Sequence, residues 1–210
     1  MSTAQKVLLL KLTIHLCALG LLVEQYALAI NDQLGGDPVK AIIHFTGIGA
    51  FNLLLLTLLV SPLAQRFKLG FLMQTRRLLG LYAFTYASCH VVNFLAFDLQ
   101  FEWRFFLEEV FKRPYITLGM LAFIWLIPMA ITSITWFKRK MKGNWQRLHN
   151  GNYLIVILVA IHFYWSVKSE LIEPSIYLLA TLFLLALRKD KLKRLFQSLV
   201  KYRKNTSTCR

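Results

Sequence analysis

Cysteine is scarce: Cys17, Cys89 and Cys209 are the only three in 210 residues, and none falls in C-x-x-C or C-x-x-C-H spacing. That excludes a zinc ribbon, a thioredoxin-type redox pair and covalent haem attachment. Cys17 and Cys89 lie in apolar runs, where small core residues are expected. Acid is scarce as well, with 10 Asp and Glu against 25 Lys and Arg, a formal charge of +15. Charged residues of both signs make up 17% of the chain, where a soluble domain carries about 25%. No G-x-x-x-x-G-K-[ST] loop, G-x-G-x-x-G turn or H-E-x-x-H helix occurs, so the chain has no recognisable nucleotide-binding or zinc-protease signature of its own. Gly47-Ile48-Gly49 lacks a third glycine and sits inside an apolar run, which reads as close helix packing. No internal repeat is evident.

What the chain has in abundance is apolar length. Apolar residues make up 57% of it and the mean hydropathy is +0.52. Six runs are readable: Val7–Ile30, Ile42–Leu63, Leu78–Phe97, Tyr115–Phe137, Tyr153–Val167 and Ile176–Leu187. A spanning helix needs about 20 residues; the sixth run reaches an adequate length only if its helix starts at Pro174, a good first helical position. The expected fold class is all-α, a polytopic membrane bundle of six transmembrane helices. The first run resembles a signal sequence ending at Ala27-Leu28-Ala29, but His15 and Glu24 are out of place in a disposable segment, so it is expected to be retained.

Orientation follows from Lys and Arg. Twenty fall in the N-terminal segment, the loops around Arg66–Arg77 and Lys138–Arg147, and the tail from Arg188; five fall in the alternate loops, which hold eight of the ten acids. By the positive-inside rule both termini are cytoplasmic. Basic residues beside anionic lipid account for the charge without nucleic acid. Residues 1–188 form the expected transmembrane domain, and 189–210 a basic cytoplasmic tail whose Leu192, Leu195, Phe196, Leu199 and Val200 suit an amphipathic surface helix. The stretch 99–113, aromatic and acidic, reads as an external interfacial helix. Trp136, Trp145, Trp165 and Tyr115 near run ends read as interfacial anchors.

Histidine at membrane depth is a site hypothesis by default. His90 lies about 18 Å into the third run and His162 about 15 Å into the fifth, at about 1.5 Å per residue. Both spans run outward, so the two imidazoles share a level in the outer half of the bilayer. Two imidazoles at one level can clamp a haem iron from both faces; two histidines bonded to neighbouring helices, or lining a polar path, are the alternative. His149 stands at the cytoplasmic start of the fifth run, about 20 Å from His162 and about 140° away in helix phase. It is a ligand to a second haem or a solvated interfacial residue. Its level on the third span carries Arg76-Arg77, which suits propionates or a phosphate rather than iron, as does Arg147. His15 is a geometric candidate to partner His149. His44, near the outer end of the second run, could meet a propionate or an external redox partner, and Glu24 could handle protons or orient a histidine.

At these residues the sequence resembles the MsrQ (YedZ) family, the haem-binding membrane subunits of the bacterial periplasmic methionine-sulfoxide reductase system, within a broader ferric-reductase-like group. The resemblance runs over nearly the whole chain and is most specific at DPVKAIIHFTG (37–47), TRRLLGLYAF (75–84), KRPYITLG (112–119), WQRLHNGNYL (145–154) and IHFYWSVK (161–168). It implies a six-helix inner-membrane bundle with b-type haem, one or two. It also implies electron delivery to a periplasmic molybdenum-containing reductase that repairs oxidised methionines in proteins. The family's haem histidines fall on His90, His149 and His162. The family has been associated with flavin mononucleotide (FMN) and with electrons from quinones or a separate flavin reductase. The wider group often carries two histidines in its third span and a C-terminal flavin and NADPH domain; this chain has one histidine there and ends at Arg210, which puts a conventional second bis-histidine haem in doubt.

The leading expectation is an electron conduit with no substrate-transforming residue of its own. Its rivals are a small transporter or proton channel using Glu24 and the buried histidines, and a structural assembly factor.

Overall fold

The computed structural model describes residues 1–167, 169–195 and 197, and among these there is no β-strand. Among the described residues nine α-helices are delimited, ahead of a further helical stretch at 189–195. α1 (Thr3–Ile30), α2 (Pro38–Arg66), α3 (Arg76–Asn93) and α5 (Pro114–Ile131) are long and apolar; α4 (Trp103–Lys112), α6 (Thr135–Met141) and α7 (Gly143–Asn150) are short; α8 (Asn152–Ser166) and α9 (Ile172–Ala186) close the bundle. A 3-10 turn, Gly70–Thr75, leads into α3, and a π-helical turn, Phe94–Asp98, ends it.

Local chemistry sets most of these ends. Ser2 and Gln5 close a capping box on α1. Asp37 caps α2 through the Lys40 amide at 2.9 Å, with Pro38 at the first position, and Pro114 opens α5 in the same way. The fourth apolar run is not one helix: α5 stops at Ile131, and Thr135–Phe137 belong to α6. Pro128 lies within the last turn, where the Thr132 hydroxyl takes its carbonyl at 2.7 Å; proline cannot donate there and bends the chain off axis. The sixth run gains length by starting at Ile172 rather than Pro174, which becomes a buried third position.

α2 is the central helix and buries residues along most of its length, from Ile42 to Ala64. It runs antiparallel to α3, with Gly47 against His90 at one end and Ser61 against Met73 at the other. It is parallel to α9, where Tyr177 meets Asn52 and Arg188 meets the Leu58 carbonyl. α5 and α8 form a second antiparallel pair. α1 runs alongside α3, held by His15–Tyr82, Tyr86–Ala18 and Tyr26–Asn93 hydrogen bonds of 2.6, 2.6 and 2.8 Å. Thus α1, α3 and α8 point one way and α2, α5 and α9 the other.

The outside of this bundle is apolar. α1 buries only Val7, Ala18 and Leu22 and exposes Leu8, Leu9, Leu12, Leu16 and Leu19. α5 exposes Leu121, Ile124 and Ile131, and α9 exposes Ile176, Leu179, Leu182 and Phe183. A soluble monomer does not carry an apolar girdle of this extent, and helices satisfy their backbone within hydrocarbon. The chain is a polytopic membrane helical bundle. Among the described residues four helical stretches are long and apolar enough to cross a bilayer by length and composition; α8 and α9, at 15 residues each, rise about 22 Å. α4 buries no residue and is laced by Arg104–Glu108, Lys112–Glu108 and Arg113–Glu109 pairs, as an interfacial helix would be. Residues 189–195 are helical; Phe196, Leu199 and Val200 of the amphipathic pattern lie outside the described residues. Cys17 is exposed rather than in the core.

Gly49 packs against the Tyr86 ring so closely that any Cβ there would clash with it. The Tyr86 hydroxyl in turn holds the Ala18 carbonyl. Gly49→Ala is expected to lower stability by about 1–3 kcal/mol through overpacking. Gly20→Ala, whose Cβ meets nothing within 4 Å, should be neutral or stabilising. Thermal unfolding in detergent compares the two.

Candidate functional site: two stacked cavities

His90 and His162 face each other across the bundle, ring centroids 6.2 Å apart and planes at 85°. Each is tied by Nδ1 to a main-chain carbonyl on the facing helix of its pair: His90 to Ile43 at 2.9 Å, His162 to Tyr115 at 2.6 Å. A carbonyl only accepts, so each Nδ1 carries the proton and each Nε2 keeps its lone pair, the form that binds a metal. Metal–nitrogen bonds of about 2 Å, plus about 1.2 Å from nitrogen to ring centre, would put two trans imidazoles about 6.4 Å apart. The observed separation matches that clamp.

Glycine makes the approach possible. A Cβ on Gly47 would come 3.0 Å from the His90 ring, and one on Gly119 would come 2.8 Å from His162 Nδ1. The histidines line a cavity of about 490 Å³ walled by Ala50, Phe51, Phe123 and Phe163, with Asp37, Lys40, Asp98 and Arg113 also among its lining residues. His44 lines it too, 3.7 Å from Glu173. Hence His44 belongs to the upper cavity, where its ring also lies 6.2 Å from that of Phe163.

A second cavity of about 460 Å³ lies below, lined by Arg76, Arg77, Lys138, Lys191, His149 and Trp145 and, among the described residues, by no acid. Leu54 and Leu126 line both cavities, so a thin apolar layer separates them. His149 stands on α7, before the break at Gly151. Trp145 stacks on it at 4.1 Å, Thr132 Oγ1 lies 3.1 Å from its Nε2, and the Trp145 indole donates to the Thr132 carbonyl at 2.9 Å. Arg76 Nε is buried with no hydrogen-bond partner, an orphan donor beside a cavity. Burial, then the Arg76 and Lys138 charges, push the His149 pKa below its ordinary value of 6.5. The folded state therefore favours neutral His149, and the associated stability is present above about pH 6.5 and lost as pH falls toward the depressed value. An NMR titration of His149 should give a midpoint below 6.5, shifted upward in Arg76→Ala.

Three expected participants are elsewhere. His15 is not in the lower cavity: its Nδ1 meets the Tyr82 hydroxyl, because its helix phase turns it toward α3. Arg147 lies on α7 beside Asn144 at 3.5 Å and does not line the lower cavity. Glu24 is exposed on α1 and lines neither cavity. Conversely, Trp145 and Tyr115, whose positions suggest anchors, are site residues. Gly119 and the Ile43 carbonyl carry no sequence signal, since a glycine in an apolar run and a backbone acceptor look ordinary.

These features define a helical transmembrane bundle that brings two imidazoles with free lone pairs face to face in its interior. The family described as ferric reductase like transmembrane component matches residues 46–160. Curated relatives agree: a Xanthomonas campestris pv. campestris protein is 48% identical over 147 residues, 70% of this chain and 67% of that one. Others from Xanthomonas euvesicatoria pv. vesicatoria and Xanthomonas oryzae pv. oryzae are 47% and 46% identical over the same shares. Each carries the name protein-methionine-sulfoxide reductase heme-binding subunit MsrQ. The chain belongs to the MsrQ family of this ferric-reductase-like transmembrane group. No solved structure matches it.

Proposed function

We propose that this chain is a b-type cytochrome subunit that carries electrons across a bacterial inner membrane to an external methionine-sulfoxide reductase. The single observation that carries the reading is the His90–His162 pair, tautomer-locked by two carbonyls at a spacing that fits one metal between them. The upper cavity fits haem in its wall of small and aromatic residues, in the free Nε2 of both histidines, and in Lys40 and Arg113 for carboxylates. Haem supplies a one-electron couple when bound. His90 and His162 would hold the haem iron between their two Nε2 atoms, so the chain would transfer electrons and a partner would do the chemistry. His44, beside Glu173, is a further propionate or partner contact.

The lower cavity suits a second planar, anionic cofactor, haem or FMN, with His149 as its imidazole and Arg76 and Arg77 for propionate or phosphate. Quinone or a flavin reductase is the donor there, and electrons pass the Leu54–Leu126 layer. Six spans with both termini cytoplasmic place the basic lower cavity inside and the His90–His162 pair toward the periplasm. Residues 1–188 are the haem domain and 189–210 a basic cytoplasmic tail that begins against the bundle, where Lys191 lines the lower cavity. The partner is a periplasmic molybdenum-containing reductase that repairs oxidised proteins. A proton channel through Glu24 has no support in the geometry, which leaves Glu24 apart from the histidines.

Membranes containing the chain should show a reduced-minus-oxidised α-band of b-type haem that is reoxidised when the external reductase and a methionine sulfoxide are added. Haem per protein, one or two, decides what the lower cavity holds. A band that the reductase leaves reduced would overturn the proposed electron delivery.

A further inference from the structure

His90 lies 47 residues beyond the carbonyl it meets, and so does His162. A shift of 72 residues carries Ile43, Gly47 and His90 onto Tyr115, Gly119 and His162. The same shift superposes Gly47-x-x-Ala50-Phe51-x-x-Leu54 on Gly119-x-x-Ala122-Phe123-x-x-Leu126 and Gln74 on Gln146. It also organises the upper cavity, where 22 of the 28 lining residues fall into pairs 72 apart. The expectation of no internal repeat is therefore corrected. Identities are too sparse to stand out along the chain, and the register becomes visible only when both halves meet around one space.

We infer that the upper site is an internal duplication, α2–α3 and α5–α8 each supplying one half-site, and that Gly47 and Gly119 are its matched positioning residues. In a helix, a side chain covers the turn N-terminal to its own Cα. A glycine four residues after Ile43, or after Tyr115, leaves that carbonyl uncovered for the imidazole. Each half-site thus carries its own ligand, its own tautomer lock and its own gap. The two imidazoles thus have corresponding surroundings in the two halves, and a metal held between them would take one ligand from each.

The duplication also accounts for the lower level. There the shift pairs Arg77 with His149, Met73 with Trp145 and Gly80 with Asn152, all lining residues of the lower cavity. Positions are kept and chemistry is not. Where symmetry would put a second imidazole, the chain has a guanidinium, so His149 lacks a partner because its half-site diverged. The upper copies stay matched, as a two-sided clamp requires.

This inference rests on the proposed haem site for its purpose but not for its test. The full-length chain, labelled with 15N-histidine, is prepared in detergent without haem and, separately, with haem. In the unaltered haem-free chain both His90 and His162 should be Nδ1–H tautomers. Gly47→Ala should disturb His90 alone, and Gly119→Ala, the tighter approach, should disturb His162 alone and more strongly. In the loaded protein each should weaken haem retention by about tenfold, as loss of a ligand-orienting contact does, with Gly20→Ala as the control. Unchanged tautomers in both variants, or equal disturbance of both histidines by either one, would overturn the half-site assignment. A correct tautomer pattern in a chain that takes up no haem would sink the haem reading and leave the duplication standing.

Discussion

His162→Ala is expected to abolish the low-spin haem spectrum and cut haem retention by more than about tenfold, a loss at least as large as that from removing a ligand-orienting neighbour. The substitution leaves the Tyr115 carbonyl without its imidazole, and His90 alone would remain to hold the iron. Because the half-sites are equivalent, His90→Ala should give the same result to within a small factor. Misfolding is separable from ligand loss. Truncation leaves a gap the size of an imidazole ring beside Gly119, so imidazole added to the medium should restore low-spin character in a folded variant. Failure of both variants to change the spectrum would move the haem elsewhere.

His149→Ala should do something different. The upper pair makes no contact with His149, so the upper spectrum should survive. Electron entry should not: removing the imidazole takes away the ring against which Trp145 stacks and the group that faces Thr132. Steady-state reduction of the upper haem by a quinol or reduced flavin should fall by at least about tenfold, while dithionite, which needs no docking, still reduces it fully. If the lower cavity holds a second haem, stoichiometry drops by one; if it holds flavin, the haem count is unchanged and flavin is lost. Unimpaired quinol or flavin reduction in this variant would remove the lower cavity from the path.

The facing of His90 and His162 is legible in the sequence because it depends only on helix rise and alternating direction. His90 and His162 sit at similar distances into parallel spans, and no finer information is needed to bring them level. What surrounds them is not legible there. The Ile43 and Tyr115 carbonyls are backbone groups, which no residue type announces. Tyr115 and Trp145 match the statistics of interfacial anchors, and only the fold turns one toward a carbonyl lock and the other onto His149. His15 departs from expectation for a rotational reason: depth alone makes it a partner for His149, but its phase on α1 aims it at Tyr82. Arg188 has the sequence setting of a solvated tail's first residue, yet it is buried, bonded to the Leu58 carbonyl at 2.6 Å and the Tyr153 hydroxyl at 2.9 Å. A long cation can reach back into a bundle from its edge, and composition does not reveal which one does so.

The central claim is that two equivalent imidazoles, with planes close to perpendicular, hold one iron between α3 and α8. Low-temperature electron paramagnetic resonance of the oxidised, purified full-length chain, supplied with haem during expression, tests it most directly. The prediction is a low-spin ferric signal of the strongly anisotropic kind given by perpendicular axial imidazoles, lost in His90→Ala and in His162→Ala. A high-spin signal from an iron with one protein ligand, or no ferric haem signal at all, would contradict it.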